Sequence, residues 1–181
     1  MEPKNLRTGH FRRIWPQDGP AYLAHLLRLD REGRNMRFGG AIADETVARD
    51  SLHIGDPDRV LHGFFDGSLL RGTAELVPPE PGGDMGEAAF SVEQGYRRQG
   101  AGLELMRRTI RAARTRGIRR LLVRCLPTNR AMQNLARKFA SELVFESGDV
   151  LALIEPPPAT SATFVDEAVD GLRGAAFAWL E

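Results

Sequence analysis

Cysteine is nearly absent from this 181-residue chain, Cys125 being the single one. That excludes an internal disulfide framework and suits a reducing compartment, so a cytoplasmic protein is expected. Long apolar runs are missing too. No stretch approaches the ~18 consecutive apolar residues of a transmembrane helix, and the first residues hold no hydrophobic signal core, so no membrane role is expected. Charge of one sign is equally scarce: 25 basic and 24 acidic residues leave a formal net charge of +1. A dedicated nucleic-acid binder needs a strong basic excess, so no nucleic-acid partner is expected. His10, His25, His53 and His62 lack metal-ligand spacing; they read as surface or supporting residues, with no metal implied. No internal repeat is visible. What is present is a 42% hydrophobic chain long enough for one domain with a real core.

Periodicity and punctuation give the element order. Residues 10–15 read as a first strand ended by Pro16, and residues 21–29 have helical spacing. Asp30 to Gly40 reads as a charged, glycine-punctuated loop, after which Asp44 is placed to cap a helix running to about His53. Val60–Phe65 and Leu69–Val77 flank Asp66-Gly67 as a hairpin, with Asp-Gly suited to a type I′ turn. A strand follows over Glu87–Glu93. A long helix then carries Leu103, Met106, Ile110 and Ala113 on one face and stops at Gly117. Arg120–Leu126 is a near-continuous apolar run of the kind found in a central strand. A helix over Asn129–Ala140 and a hairpin around Gly148-Asp149 complete the unit. Pro156–Pro158 ends it, which divides the chain into residues 10–155 and a tail, residues 156–181. In the tail, Phe164, Ala168, Leu172, Ala175 and Trp179 share helical spacing, so this face is expected to fold back on the core or to pair two copies as a homodimer.

The stretch richest in chemistry is Phe90-Ser-Val-Glu-Gln-Gly-Tyr-Arg-Arg-Gln-Gly-Ala-Gly-Leu103. A strand feeding a glycine-rich helix start is a ready anion site, because the first helical N–H groups have no intrahelical partner and the helix dipole favours negative charge there. Gly100 and Gly102 remove side chains that would hold a pyrophosphate off those amides. A P-loop is excluded, since no Lys-Ser or Lys-Thr follows, and the third glycine of a dinucleotide fingerprint is missing.

Spacing instead makes Arg97-x-x-Gly100-x-Gly102 resemble the acetyl-CoA loop of the GNAT superfamily of N-acetyltransferases. Three further stretches are similar to its bacterial protein-lysine acetyltransferase branch. His25–Phe38 resembles that branch's "LSPES-RF" segment, and Glu87-Ala-Ala-Phe-Ser-Val92 its "E-x-A-F-x-V" strand. Asn129-x-x-Met132-x-x-Leu135-Ala-Arg-Lys-Phe139 resembles the "N-x-x-M-x-x-L-A-R-x-L-G-F" helix, departing where Ala140-Ser141 replaces Gly-Phe. The resemblance spans roughly residues 10–155. It implies an α/β (α+β) fold, with a mixed central sheet of about seven strands, flanking helices and a splay between strands four and five.

The same resemblance implies acetyl-CoA as co-substrate, with pantetheine lying along Phe90, Ser91 and Val92, and pyrophosphate on the stretch Arg97, Arg98, Gln99, Gly100, Ala101, Gly102 and Leu103. Asn129 would contact pantetheine or cap its helix, and a long-helix arginine would meet the 3′-phosphate. The acceptor would be a primary amine, on a small molecule or a protein lysine, attacking directly in a ternary complex. Amine attack needs a proton acceptor near neutral pH. Alternation puts Glu87, Ala89, Ser91 and Glu93 on one face, and at ~3.3 Å per residue Glu87 lies roughly 16 Å back from Val92, about the reach of extended pantetheine. Glu87 is thus the first candidate base and Glu75 the second, with a solvated sheet residue as its other reading, while Glu93 falls at the phosphate end, where it could only repel the cofactor or face water. The tyrosine acid of many relatives is replaced by Ala136, leaving water or the departing amine proton to quench the thiolate. Cys125, alone in an apolar strand, reads as core. The alternative is a non-catalytic acyl-CoA sensor, which would have no need of Glu87.

Overall fold

The computed structural model describes residues 9–80, 83–140 and 142–178, with side chains as far as Leu172. Seven strands form one sheet in the order β1-β2-β3-β4-β5-β7-β6. They are β1 (Gly9–Ile14), β2 (Val60–Asp66), β3 (Leu69–Val77), β4 (Met85–Val92), β5 (Arg120–Cys125), β6 (Glu142–Glu146) and β7 (Asp149–Ile154). Only β4 and β5 run parallel. The helix that must cross between parallel neighbours is α4 (Ala101–Thr115), which leaves the end of β4 and returns at Gly117, φ +69°. This is the mixed α/β sheet expected.

Each face has its own core. On one, α4 and α5 (Arg130–Ala136) cover Val60, Leu76, Ala88, Leu121 and Val123. On the other, α1 (Gly19–Arg28) and α3 (Asp44–Ser51) bring Tyr22, Leu26 and Val47 onto Leu61, Phe65 and Leu70. The buried stripe of α4 is Leu105, Met106, Thr109, Ala112 and Ala113, while Leu103 and Ile110, expected on it, are half-buried at its margin.

Four local expectations are corrected. Residues 31–38 are not loop but α2 (Arg31–Phe38). Asp30 accepts a hydrogen bond from Gly33 N, 2.8 Å, at its start, and Gly39, φ +74°, ends it. Asp44 is the first residue of α3 rather than its cap, which is Ala43. In the Gly67-Ser68 turn only Gly67 has positive φ, so the type I′ geometry expected there does not form. It is met instead at Ser147 and Gly148, φ +50° and +87°, between β6 and β7. Finally, α6 (Ser161–Ala178) docks on β1 and α4 by its polar side. Thr163 and Asp170 are buried, Asp170 pairs with Arg108 at 2.8 Å, and Glu167 pairs with Arg116 at 3.0 Å. Phe164 and Leu172 are exposed, so this face does not fold back on the core, the first of its two expected readings. The docked side meets α4 through Asp170, which faces both Arg108 and Arg111. Ala175 and Trp179 lie outside the residues whose side chains are described.

Candidate active site

The site begins where the sheet comes apart. β4 and β5 pair only at Met85–Arg120, Gly86–Leu121 and Glu87–Leu122, whereas β3 stays paired with β4 as far as Val92. From Ala88 onward one edge of β4 is therefore open. Which groups face it follows from one bond: Glu93 N donates to Arg71 O at 2.9 Å, making that opposed couple a hydrogen-bonded one. Opposed residues alternate in an antiparallel ladder, so Ser91 also turns its backbone toward β3. Ala88, Phe90 and Val92 point theirs at the open edge. Of Phe90, Ser91 and Val92, expected to pair by main chain, only Phe90 and Val92 thus turn their backbone toward the open edge, and Ser91 faces β3 for reasons of strand parity. The Val92 carbonyl already accepts from Arg97 Nε at 2.9 Å.

The open edge runs to the start of α4. Arg98, φ +60°, and Gly100, φ +98°, both sit in the left-handed region, and Gly100 immediately precedes Ala101, the first helical residue. This backbone bends the chain so that the leading amides of α4, those of Ala101, Gly102 and Leu103, face outward without helical acceptors. Gly100 is required by its φ. At Gly102 a Cβ would make only ordinary contact with Leu135 of α5, at 3.4 Å. Arg98 is exposed and has no hydrogen-bond or ion-pair partner among the described residues. An uncommitted guanidinium beside free amides suits a pyrophosphate. Arg97, expected beside it, has its side chain turned the other way, toward Asp30 at 3.0 Å and Glu32 at 3.5 Å. Gln99 spends its amide on Gly95 O, 2.8 Å. Asn129 is a helix cap, its Oδ1 accepting from Met132 N at 3.0 Å.

A cavity of about 440 Å³ opens at the split. Glu87 stands on its β4 wall, exposed and without an ion-pair partner among the described residues. The facing wall is the end of α2, Met36 to Gly39. Glu75 is not the solvated sheet residue or free second base of the sequence reading. It is buried, and its two oxygens accept from Arg37 Nη2 and Arg59 Nη1, each at 2.5 Å. Both its oxygens are thus committed to guanidiniums, unlike those of Glu87.

Behind the strand lies a network that sequence reasoning missed. His25 is fully buried, its Nε2 2.9 Å from Ser91 Oγ and its Nδ1 3.2 Å from Glu93 Oε1. Ser91 continues to Thr73 Oγ1 at 2.8 Å. Glu93, expected to face water, also accepts from Arg28 at 3.0 Å and Arg71 at 2.8 Å. Burial pushes the His25 imidazole below its usual pKa, outweighing the pull of Glu93, so it is neutral at pH 7. Burial alone would raise Glu93, but the hydrogen bonds from His25 and Arg71 hold it below the ordinary range. His62, also fully buried, is pushed well down by burial and then by Arg108 and Arg13. Of the two readings expected for the histidines, surface or supporting, the burial of both excludes the first, and His25 fits the second. Cys125 borders the cavity, but burial raises its thiol, keeping it protonated and weakly nucleophilic. Among the described residues no group of His, Cys, Asp and Glu could hold a metal, and no helix is long and apolar enough to cross a membrane.

Comparison with known proteins agrees with this geometry. Residues 11–140 match the family described as Acetyltransferase (GNAT) family. The chain is 33% identical over 180 residues to Acetyltransferase Pat of Mycolicibacterium smegmatis, covering 96% of this chain and 54% of that protein, so it spans about half the length of that curated relative. Its fold is that of the GNAT domain of S. lividans PAT, with a TM-score of 0.69 at 24% identity, covering 81% of this chain and 90% of that one. The PaiA N-acetyltransferase of Thermoplasma acidophilum, solved with coenzyme A, superposes with a TM-score of 0.62 at 14% identity, over 81% of this chain and 98% of that one. With its split sheet, glycine turn and matching profile, this chain belongs to the GNAT family of acetyltransferases.

Proposed function

We propose that the protein transfers an acetyl group from acetyl-CoA to a primary amine, on a protein lysine or a small molecule, by direct attack in a ternary complex. One observation carries this reading: a strand edge left open from Ala88 to Val92 that ends at the left-handed Gly100 turn. An edge of that kind accepts an extended chain by main-chain pairing, and the turn accepts an anion. Phe90 and Val92 would hold the pantetheine arm, and the amides of Ala101, Gly102 and Leu103 with the Arg98 side chain would hold the pyrophosphate. The bound thioester supplies an acetyl group already activated for attack. Residues 10–155 would be the catalytic unit and residues 156–181 an appendage. The PaiA complex with coenzyme A supports this choice of co-substrate by fold alone.

Glu87 is the base in this reading. Its carboxylate lies on the cavity wall, on the same strand as the pantetheine contacts and free of ion pairs, so it can attract an ammonium ion and take its proton directly or through water. Glu75 drops from base to positioning role, holding Arg37 and Arg59. With Ala136 in α5, no tyrosine acid is available there, and the proton released by the amine would return to the leaving thiolate. The test is acetyl-CoA consumption across a panel of amines and lysine peptides, with wild type beside Glu87→Gln. A verified acceptor whose turnover is the same in both would remove Glu87 from the mechanism. Tight coenzyme A binding with no acceptor turned over would favour a sensor.

A further inference from the structure

The cavity wall opposite Glu87 carries a charge that the transfer reaction does not require. Arg37, near the end of α2, lines the cavity although its side chain is only 9% exposed. Its Nη2 is committed to Glu75 at 2.5 Å and approaches Tyr22 Oη at 3.5 Å. Its Nε is buried without a hydrogen-bond partner, and its Nη1 has none among the described residues. Glu75 is shared with Arg59, so two guanidiniums face one buried carboxylate. Asp50 and Asp56 approach the pair only at 4.0 and 3.4 Å, from more exposed positions. A buried cation fixed at one nitrogen and uncommitted at another is pre-oriented for an anion.

Register places this cation relative to Glu87. Glu75 opposes Ala89, and Val77 opposes Glu87, so Arg37 sits over the row next to that of Glu87 on the same face of the sheet. Adjacent rows of one face lie roughly 7 Å apart. An ammonium on Glu87 and a carboxylate on Arg37 would span that gap when the two groups are neighbours in one molecule. Arg124, which also lines the cavity, is already paired with Asp149 at 3.3 Å and adds no uncommitted positive charge there.

Resting on the acetyl-transfer reading, we propose that Arg37 binds a carboxylate of the acceptor, and that the acceptor class is therefore an amine with a carboxylate beside it. Two sources share this chemistry: a free α-amino acid, and a peptide lysine flanked by an acidic residue. Arg37 is then a specificity-determining residue.

Calorimetry with coenzyme A already bound separates the outcomes. The probes are L-phenylalanine against L-phenylalaninamide, and a lysine hexapeptide with Asp beside the lysine against the same peptide with Asn. The acid of at least one couple should bind roughly 10- to 100-fold tighter than its amide, as a charge-assisted hydrogen bond to a shielded guanidinium predicts. Whichever couple shows the difference identifies the source. In Arg37→Gln the difference should collapse; Arg37→Lys, which keeps the charge, should retain part of it. Equal affinity of acid and amide in wild type, no binding of either, or a preference that survives Arg37→Gln would each overturn the proposal. The wild-type comparison needs no variant to fold. Acetylation of the amides, scored separately, reports on the transfer reading, so the two can fail independently.

Discussion

The two ends of β4 reveal themselves in different ways. At its C-terminal end, the proposed binding is a matter of backbone: an open edge, two left-handed residues and a helix start. Such a site leaves its mark in consecutive residues, because glycine spacing is the shape. At its N-terminal end, binding is a matter of side chains gathered from afar: Glu87 from β4, Glu75 from β3, Arg37 from α2 and Arg59 from the approach to β2. No short motif encodes that assembly. The proposed donor half of the site is local in sequence, and the proposed acceptor half comes together only once the chain has folded.

The largest expected effect tests the backbone end. Gly100→Val should abolish coenzyme A binding with the far-UV spectrum unchanged, because a β-branched residue is strained at φ +98° and its side chain would enter the anion's space. Calorimetry giving wild-type affinity in a folded variant would end the assignment of this turn.

Next comes the side-chain end. Glu87→Gln should lower turnover by roughly 10²–10⁴-fold, the usual contribution of a positioned base, and leave coenzyme A affinity nearly intact, since pantetheine pairing uses main chain. The deficit should shrink at high pH, where more amine is already neutral. A parallel loss of coenzyme A affinity would mean the two ends are not separable.

Stability distinguishes the ends as well. Glu75→Ala leaves Arg37 and Arg59 facing each other without their shared carboxylate and should cost about 3 kcal/mol in urea unfolding, as removing one partner from a buried ion pair does. Asn129→Ala removes only a helix cap and should cost about 1 kcal/mol. If the first were the milder of the two, the buried cluster would not be organising the acceptor wall.

The smallest effect is one of pH. His25 and His62 stay neutral in the fold, whereas an unfolded imidazole takes up a proton near pH ~6.5. Below that value the unfolded chain binds more protons than the native one, so stability rises with pH and falls as pH drops from about 7 toward 5. Glu93, depressed in the fold, adds its loss only at lower pH, in the carboxylate range. Thermal unfolding between pH 7.5 and 5.5 should show the decline, and His62→Gln should flatten it.

Much of the fold was legible because its signals are local. The Asp-Gly pair marked the hairpin of β2 and β3, the glycine loop marked the start of α4, and Pro16 and Gly117 marked two ends. The charged stretch 31–38 was not, because Gly33 inside it argues for a loop. The cap formed by Asp30 and the stop at Gly39 were nonetheless visible as a helix frame. Strand parity was available for Ser91 too, but whether its backbone faces β3 or the open edge depends on hydrogen-bond phase, which only the folded ladder sets. The burial of His25 depends on α1 settling over β4, a contact between residues 66 positions apart. For α6, a helical apolar stripe was present, but the docked side is the one that meets arginines elsewhere.

Asp30 connects the two ends. The carboxylate that starts α2 by accepting from Gly33 also holds Arg97, whose Nε grips the Val92 carbonyl. Three bonds in series thus act as a tie-rod between the acceptor wall and the donor edge. A Cβ at position 33 would come within 2.6 Å of both Arg97 and Asp30, so even alanine there would force the rod to lengthen or let go. The wall's alignment is then inherited from the donor edge, and loosening one loosens the other. In the proposed reading, a site braced in this way meets the entropic cost of ordering its acceptor side during folding, before either substrate arrives.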